Sequence, residues 1–230
     1  MATIHIWGGG PYHPTRAQAD LLAARLQPLG HEIVYGTHRS MFDPERLREA
    51  DLLVLAGLDW SGITKVDPKV WVEPQPIPER YEPLSEEHFR AITSHLQAGK
   101  PLLCHHSALL SFDERPEFAE IYDGRWIDGQ SWHPPYHEFP VHVCPTGHPI
   151  TQGISDFRIS DEIYRNLAEP ARSTVLLETE HEGRMWPLGW AGVYGESRVV
   201  VSALGHDMRS YASPELQQFL LNSVAWLLAA

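Results

Sequence analysis

The uninterrupted apolar run Leu52-Leu53-Val54-Leu55-Ala56 does most to limit what this chain can fold into. Side chains of a strand alternate between faces, so a strand apolar at every position needs cover on both sides. That is the situation of a parallel strand held between two helical layers. The flanking sequence supplies such layers. Ile4-His5-Ile6-Trp7 reads as a strand ending at Gly8-Gly9-Gly10, and Thr15 caps a helix whose apolar side includes Ala17, Leu21, Leu22 and Leu29 before Gly30. Glu32-Ile33-Val34-Tyr35 is a second strand, and a short helix from Pro44 to Ala50 leads into the apolar run as the third. Ser85 opens a helix with Glu86 and Glu87 in its first turn, where carboxylates suit the dipole, and Phe89, Ile92 and Leu96 line one side until Gly99. The fourth strand, Pro101 to His105, follows at once.

Further strands are expected at Phe157-Arg158-Ile159, Ser173 to Leu177, Trp186 to Trp190 and Arg198 to Leu204. A closing helix starts at Ser213-Pro214 and repeats Leu216, Phe219, Leu220, Val224, Leu227 and Leu228 at helical spacing. The expected fold is α/β: one domain over residues 1–230, a doubly wound, mostly parallel sheet with helices on both faces, flavodoxin-like in plan. At 230 residues, 43% of them hydrophobic, the chain is long enough for one substantial core.

A net charge of -12 and the lack of any Lys/Arg cluster argue against a nucleic-acid partner, so the expected ligand is neutral or small. No basic leader precedes an apolar stretch, and no segment approaches about 18 uninterrupted apolar residues, so the protein is expected to be cytoplasmic with no membrane partner. Cys104 and Cys144 have no spacing that suggests a zinc cage or a disulfide and read as reduced thiols.

The regular pattern breaks at about residues 59–84, where Pro68, Pro74, Pro76, Pro78 and Pro83 accompany Trp60, Trp71 and Tyr81. This proline-rich insertion is too long for a plain connection. Its aromatics favour an ordered lid or a subunit contact, and with it a homo-oligomer.

Two histidines, His105 and His106, crown the fourth strand. Ligands of open α/β sheets bind beyond the carboxyl ends of the strands, so His105 is the first candidate for chemistry. Consecutive strand residues diverge, and only one of the pair enters a given pocket unless the backbone turns there. Gly8 to His13 superficially suggests a dinucleotide loop, but His13 stands where the third glycine belongs and Thr37-His38 where the ribose carboxylate belongs. A turn carrying His13 to the cleft fits better. His137-Glu138-Phe139-Pro140-Val141-His142 is not a zinc-protease helix, because Pro140 would break it. No nucleophile elbow with flanking glycines and no phosphate loop is present.

Asp161-Glu162-Ile163-Tyr164 and Leu204-Gly205-His206-Asp207 stand at strand ends. Converging on His105, they would give an acid/base carboxylate and two imidazoles, enough for proton transfer or for a divalent metal such as Zn or Mn held by His105, Glu162 and His206. Asp207 reads equally well as a cap on backbone amides. Trp132, Tyr164, Trp190 and Tyr211 are polar-edged aromatics suited to stacking on sugar faces, and His133 and His106 join them as substrate-binding candidates.

Taken in order, Leu103-Cys104-His105-His106, His148 to Ile154, Asp161 to Tyr164, Gly189-Trp190, Gly195 with Arg198-Val199, and Leu204 to Asp207 with Tyr211 resemble the ThuA-like, trehalose-utilisation family over nearly the whole chain. The resemblance implies a class I glutamine amidotransferase-like fold in which a histidine such as His105 replaces the nucleophilic cysteine of the elbow. His206 would be the counterpart of the amidotransferase histidine. Cys104 precedes the elbow and should point into the core, so a glutamine thioester is not expected. The proline-rich segment Lys65 to Pro83 and the second histidine, His106, depart from the family pattern.

The resemblance also implies disaccharide catabolism through 3-keto sugars made by a partner oxidoreductase. A ketone acidifies the neighbouring C–H, so a base, His105 or Glu162, with His206 as partner or enediolate stabiliser, would lead to isomerisation, epimerisation or glycosidic elimination. Two other classes use the same residues: a non-catalytic carbohydrate-binding or regulatory protein, and a metal-dependent hydrolase of another small molecule.

Overall fold

The computed structural model describes residues 1–73 and 78–229, so Pro74 and Pro76 lie outside the described residues. Among these residues the strands are β1 (Thr3–Trp7), β2 (Glu32–Gly36), β3 (Leu52–Leu55), β4 (Leu102–His105), β5 (His137–Val143), β6 (Phe157–Asp161), β7 (Thr174–His181), β8 (Arg184–Tyr194) and β9 (Ser197–Ser202). They form a sheet of order β2-β1-β3-β4-β9-β8-β7-β5-β6. The pairings from β2 to β9 are parallel. Those from β9 to β6 are antiparallel. The chain is thus α/β, with a flavodoxin-like parallel half that carries the strand ends of interest.

The alternation inferred for the apolar strands divides the core in two. Ile4, Ile6, Leu52, Val54 and Leu103 face α1 (Thr15–Leu26) and α5 (Pro214–Leu227). Leu53, Leu55, Leu102 and Cys104 face α2 (Pro44–Glu49), α3 (Glu86–Gln97) and α4 (Phe118–Tyr122). Ser85 and Ser213 cap α3 and α5 by accepting from His88 N and Leu216 N. Phe219 and Leu220 of α5 are fully buried, each stabilising the packed state by roughly 1.5–3 kcal/mol.

Two local expectations change. Thr15 is the first residue of α1 rather than its cap, and its hydroxyl instead accepts from Gly9 N at 2.6 Å. Leu29 lies past the helix in a short turn and is exposed.

The antiparallel half rests on tight hairpins. Glu182 and Gly183, both with positive φ (54° and 76°), join β7 to β8, the turn geometry that matches strand twist. The described parts of the insertion are pinned to the body. Tyr81 OH donates to Glu114, Leu84 N donates to Glu114 Oε1 at 2.7 Å, and Arg39 pairs with Asp59 at 2.8 Å. Glu73 accepts from Thr15 Oγ1 at 2.9 Å and from Tyr35 OH at 2.7 Å, while Tyr12 N donates to Val70 O at 2.8 Å. The insertion therefore braces the β1–α1 turn. Among the described residues no helix is long and apolar enough to cross a membrane.

Candidate functional site

Four strand ends deliver one cluster. The β1–α1 turn runs through Gly9 and Gly10, both at positive φ, and a Cβ on Gly10 would meet Leu58 O at 2.2 Å. Only glycine allows that approach. The turn carries His13 inward, where it is 4% exposed and donates from Nδ1 to Pro11 O at 3.0 Å. Its Nε2 is left as the acceptor.

At the end of β4 the backbone turns sharply: His106 has φ of 45°, in the left-handed region that disfavours a non-glycine residue. Ser107 Oγ donates to Ala56 O at 3.0 Å and helps hold this elbow. His106 Nδ1 donates to Ala203 O at 2.7 Å, and its Nε2 accepts from Tyr164 OH at 2.9 Å.

Asp161, the last residue of β6, is fully buried and accepts from Gly205 N at 2.8 Å and His206 N at 3.2 Å. It ties the end of β6 to the loop after β9, which brings Glu162 and His206 together. Burial raises the Asp161 pKa above the usual carboxylate value.

Glu162 is the hub. Its carboxylate lies 3.3 Å from His206 Nδ1, 3.5 Å from His133 Nδ1 and 3.6 Å from His106 Nε2. The ring centroids of His13 lie 4.9 Å from those of both His106 and His206. Burial alone would raise the Glu162 pKa, but the imidazoles of His106 and His206 hold it well below the ordinary carboxylate value. Burial would lower the His206 pKa, and Glu162 beside it raises it instead. Burial pushes the His13 pKa well down.

The structure moves His105 away from this cluster. As the residue before the turn, it keeps strand geometry and projects to the opposite side, where its Nε2 accepts from Tyr211 OH at 2.5 Å. Burial pushes its pKa down to about 3. His105 and Tyr211 thus form a sealed pair, and the elbow position expected of His105 belongs to His106. Gly205 closes the seal, since a Cβ there would sit 2.4 Å from the His105 ring.

Trp190 is also placed elsewhere: it is 1% exposed in the core, its Nε1 donating to Tyr122 O at 2.7 Å. Cys104 points into the same core, where burial raises its thiol pKa. Trp132 is exposed and stacks with the Arg165 guanidinium at 4.4 Å. Asp207 accepts from Arg209 N at 2.8 Å and Ser210 N at 3.3 Å, the capping arrangement, and also from Tyr136 OH at 3.0 Å.

Sequence reasoning missed Tyr136, whose ring is 5.5 Å from that of His206, and Trp126, whose ring is 5.1 Å from that of Tyr164. Their signal was an aromatic density around His133 in a stretch with little regular structure. Together with Tyr164 they wall the cluster with polar-edged rings.

The α/β sheet that carries these strand ends recurs in solved structures of other proteins. A glutamine amidotransferase of Thermotoga maritima shares that plan at 12% identity with a TM-score of 0.51, covering 98% of this chain and 87% of that one. The chain belongs to the ThuA family, described as trehalose utilisation, whose pattern matches residues 3–227. A ThuA-like protein of Parabacteroides merdae is 20% identical with a TM-score of 0.76, covering 99% of this chain and 90% of that one. A cytoplasmic protein of Salmonella typhimurium is 16% identical with a TM-score of 0.64, covering 99% of both chains. No curated protein matches the chain.

Proposed function

We propose that this protein is a cytoplasmic enzyme of sugar catabolism that removes a proton beside the ketone of a 3-keto sugar or 3-keto disaccharide. The observation that carries the reading is the convergence of His106, His133 and His206 on Glu162 at 3.3–3.6 Å, under a wall of aromatic rings. Recognition of a neutral sugar needs stacking and hydroxyl contacts; a buried carboxylate ringed by imidazoles supports proton transfer.

The roles follow from position. His133 is the outermost imidazole, its side chain 39% exposed. Its Nδ1 lies 3.0 Å from Pro134 O and faces Glu162, which leaves Nε2 as the base, by the same logic that a carboxylate orients a catalytic histidine. Glu162, whose low pKa makes it a poor base, orients and balances charge. His206, whose pKa Glu162 raises, faces the developing enediolate oxygen. The base role expected of His105 is not carried over, because His105 is sealed behind Tyr211.

The ketone itself must come from an oxidoreductase acting earlier on the sugar. The outcome of enolisation is isomerisation, epimerisation or expulsion of the glycosidic oxygen. The test is proton NMR of a 3-keto disaccharide in deuterated water. Exchange beside the ketone or new products with wild type, and a loss of at least about 100-fold in rate with His133→Ala and Glu162→Gln, are expected. Spectra unchanged by wild-type protein at saturating ligand would leave a carbohydrate-binding protein instead.

A further inference from the structure

We infer that His13, His106, Glu162 and His206 form a binding site for one divalent transition-metal cation. Their candidate ligand atoms all lie within 4.8 Å of one another, so a single ion can reach all four after small side-chain shifts. This set differs from the one expected from sequence: His105 is out, and His13 and His106 are in.

Three independent features point to a cation. The first is the fixing of tautomers. His13 Nδ1 and His106 Nδ1 are each committed as donors to a backbone carbonyl, Pro11 O at 3.0 Å and Ala203 O at 2.7 Å. Each ring therefore presents an Nε2 lone pair, the arrangement that outer carbonyls impose on metal-ligating histidines. The second is an orphan. His206 Nδ1 is buried without a hydrogen-bond partner, although Glu162 Oε2 is 3.3 Å away. A buried nitrogen left unmatched beside a carboxylate is open to a cation. The third is rigidity: Asp161 locks the His206 backbone and the Glu162 backbone to one carboxylate.

The donor set selects the ion. Three imidazoles and one carboxylate, with no thiolate, suit Zn2+, Mn2+ or Co2+ over Ca2+, Mg2+ or Cu+. The Tyr164 hydroxyl contacts the same Nε2 of His106 at 2.9 Å and competes with the cation for that lone pair. Removing the hydroxyl should therefore tighten binding. The site does not depend on the identity of the sugar. When filled, the cation would polarise the ketone as a Lewis acid.

The experiment is titration of chelator-treated full-length protein with Co2+ and Zn2+, followed by visible absorption and calorimetry. The expected result is one ion per chain. His106→Ala and Glu162→Gln should weaken it at least about 100-fold, Tyr164→Phe should strengthen it several-fold, and His142→Ala on the surface should leave it unchanged. His13→Gln is the second variant if His106→Ala does not fold, as judged by circular dichroism. Absence of saturable binding, or binding that survives both ligand changes, overturns the inference. This titration involves no sugar. A protein that binds the ion yet leaves the 3-keto disaccharide untouched would sink the proposed reaction and keep the site.

Discussion

Adjacent histidines His105 and His106 leave β4 in opposite directions and enter different environments. His105 turns beneath Gly205 and spends its Nε2 on Tyr211 OH in a pocket closed to water. His106, one residue on and past a φ of 45°, enters a cluster with Glu162, His13 and His206. One dihedral angle separates a neutral packing residue from a group poised for chemistry. Residue type alone therefore says little; what an imidazole can do is set by the partners its two nitrogens receive.

The sharpest way to break this comparison is to exchange the losses. His106→Ala should lower the proposed keto-sugar turnover at least about 100-fold per folded molecule, measured by steady-state rates beside circular dichroism. His105→Ala should do the reverse. It opens a cavity and strands the Tyr211 hydroxyl, costing roughly 2–4 kcal/mol in urea unfolding while the folded fraction keeps its activity. Equal activity losses would erase the distinction.

Gly205→Ala probes the seal from its other side. A Cβ 2.4 Å from the His105 ring, on a backbone at φ +119°, should cost about 2 kcal/mol or more and show as a lowered Tm.

Acid should act through His105 with a fixed sign. Its folded pKa is about 3 against 6.5 for the free side chain, so the unfolded chain binds the extra proton. The stability it contributes is full above pH 6.5 and declines as pH falls toward 3, by up to about 1.36 kcal/mol per pH unit. The difference in unfolding free energy between wild type and His105→Gln, followed over that range, should shrink as the pH drops. A constant difference would mean that His105 is not held neutral. The smallest effect is expected at Trp132, exposed and stacked only on Arg165: Trp132→Ala should alter stability by less than about 0.5 kcal/mol.

The parallel half was legible because its signals are local. Apolar strands, glycine ends and serine caps each act within a few residues, and Leu52–Leu55 was buried as read. The convergence of His13, Glu162 and His206 was legible because each follows a strand. The choice between His105 and His106 was not, since it turns on a backbone angle held by Ala56 and Ala203 from distant strands. Trp190 misled for a similar reason. Its place in the core depends on β8 lying beside β9, a pairing that the individual strands, though recognised, do not announce. The tie made by Asp161 likewise spans segments more than 40 residues apart.

The central position of β9 has a consequence for synthesis. β9 hydrogen-bonds to β4 on one side and β8 on the other, so it is the seam that joins the two halves of the sheet. The carbonyl that aims His106 belongs to Ala203, 97 residues later in the chain, and His206 follows just beyond it. A ribosome that has not yet delivered this seam leaves β4 and β8 as bare edges, prone to pairing with other chains. The same incomplete chain has no organised cluster and no aimed imidazole. The cluster is therefore completed late in synthesis, with the arrival of a single strand.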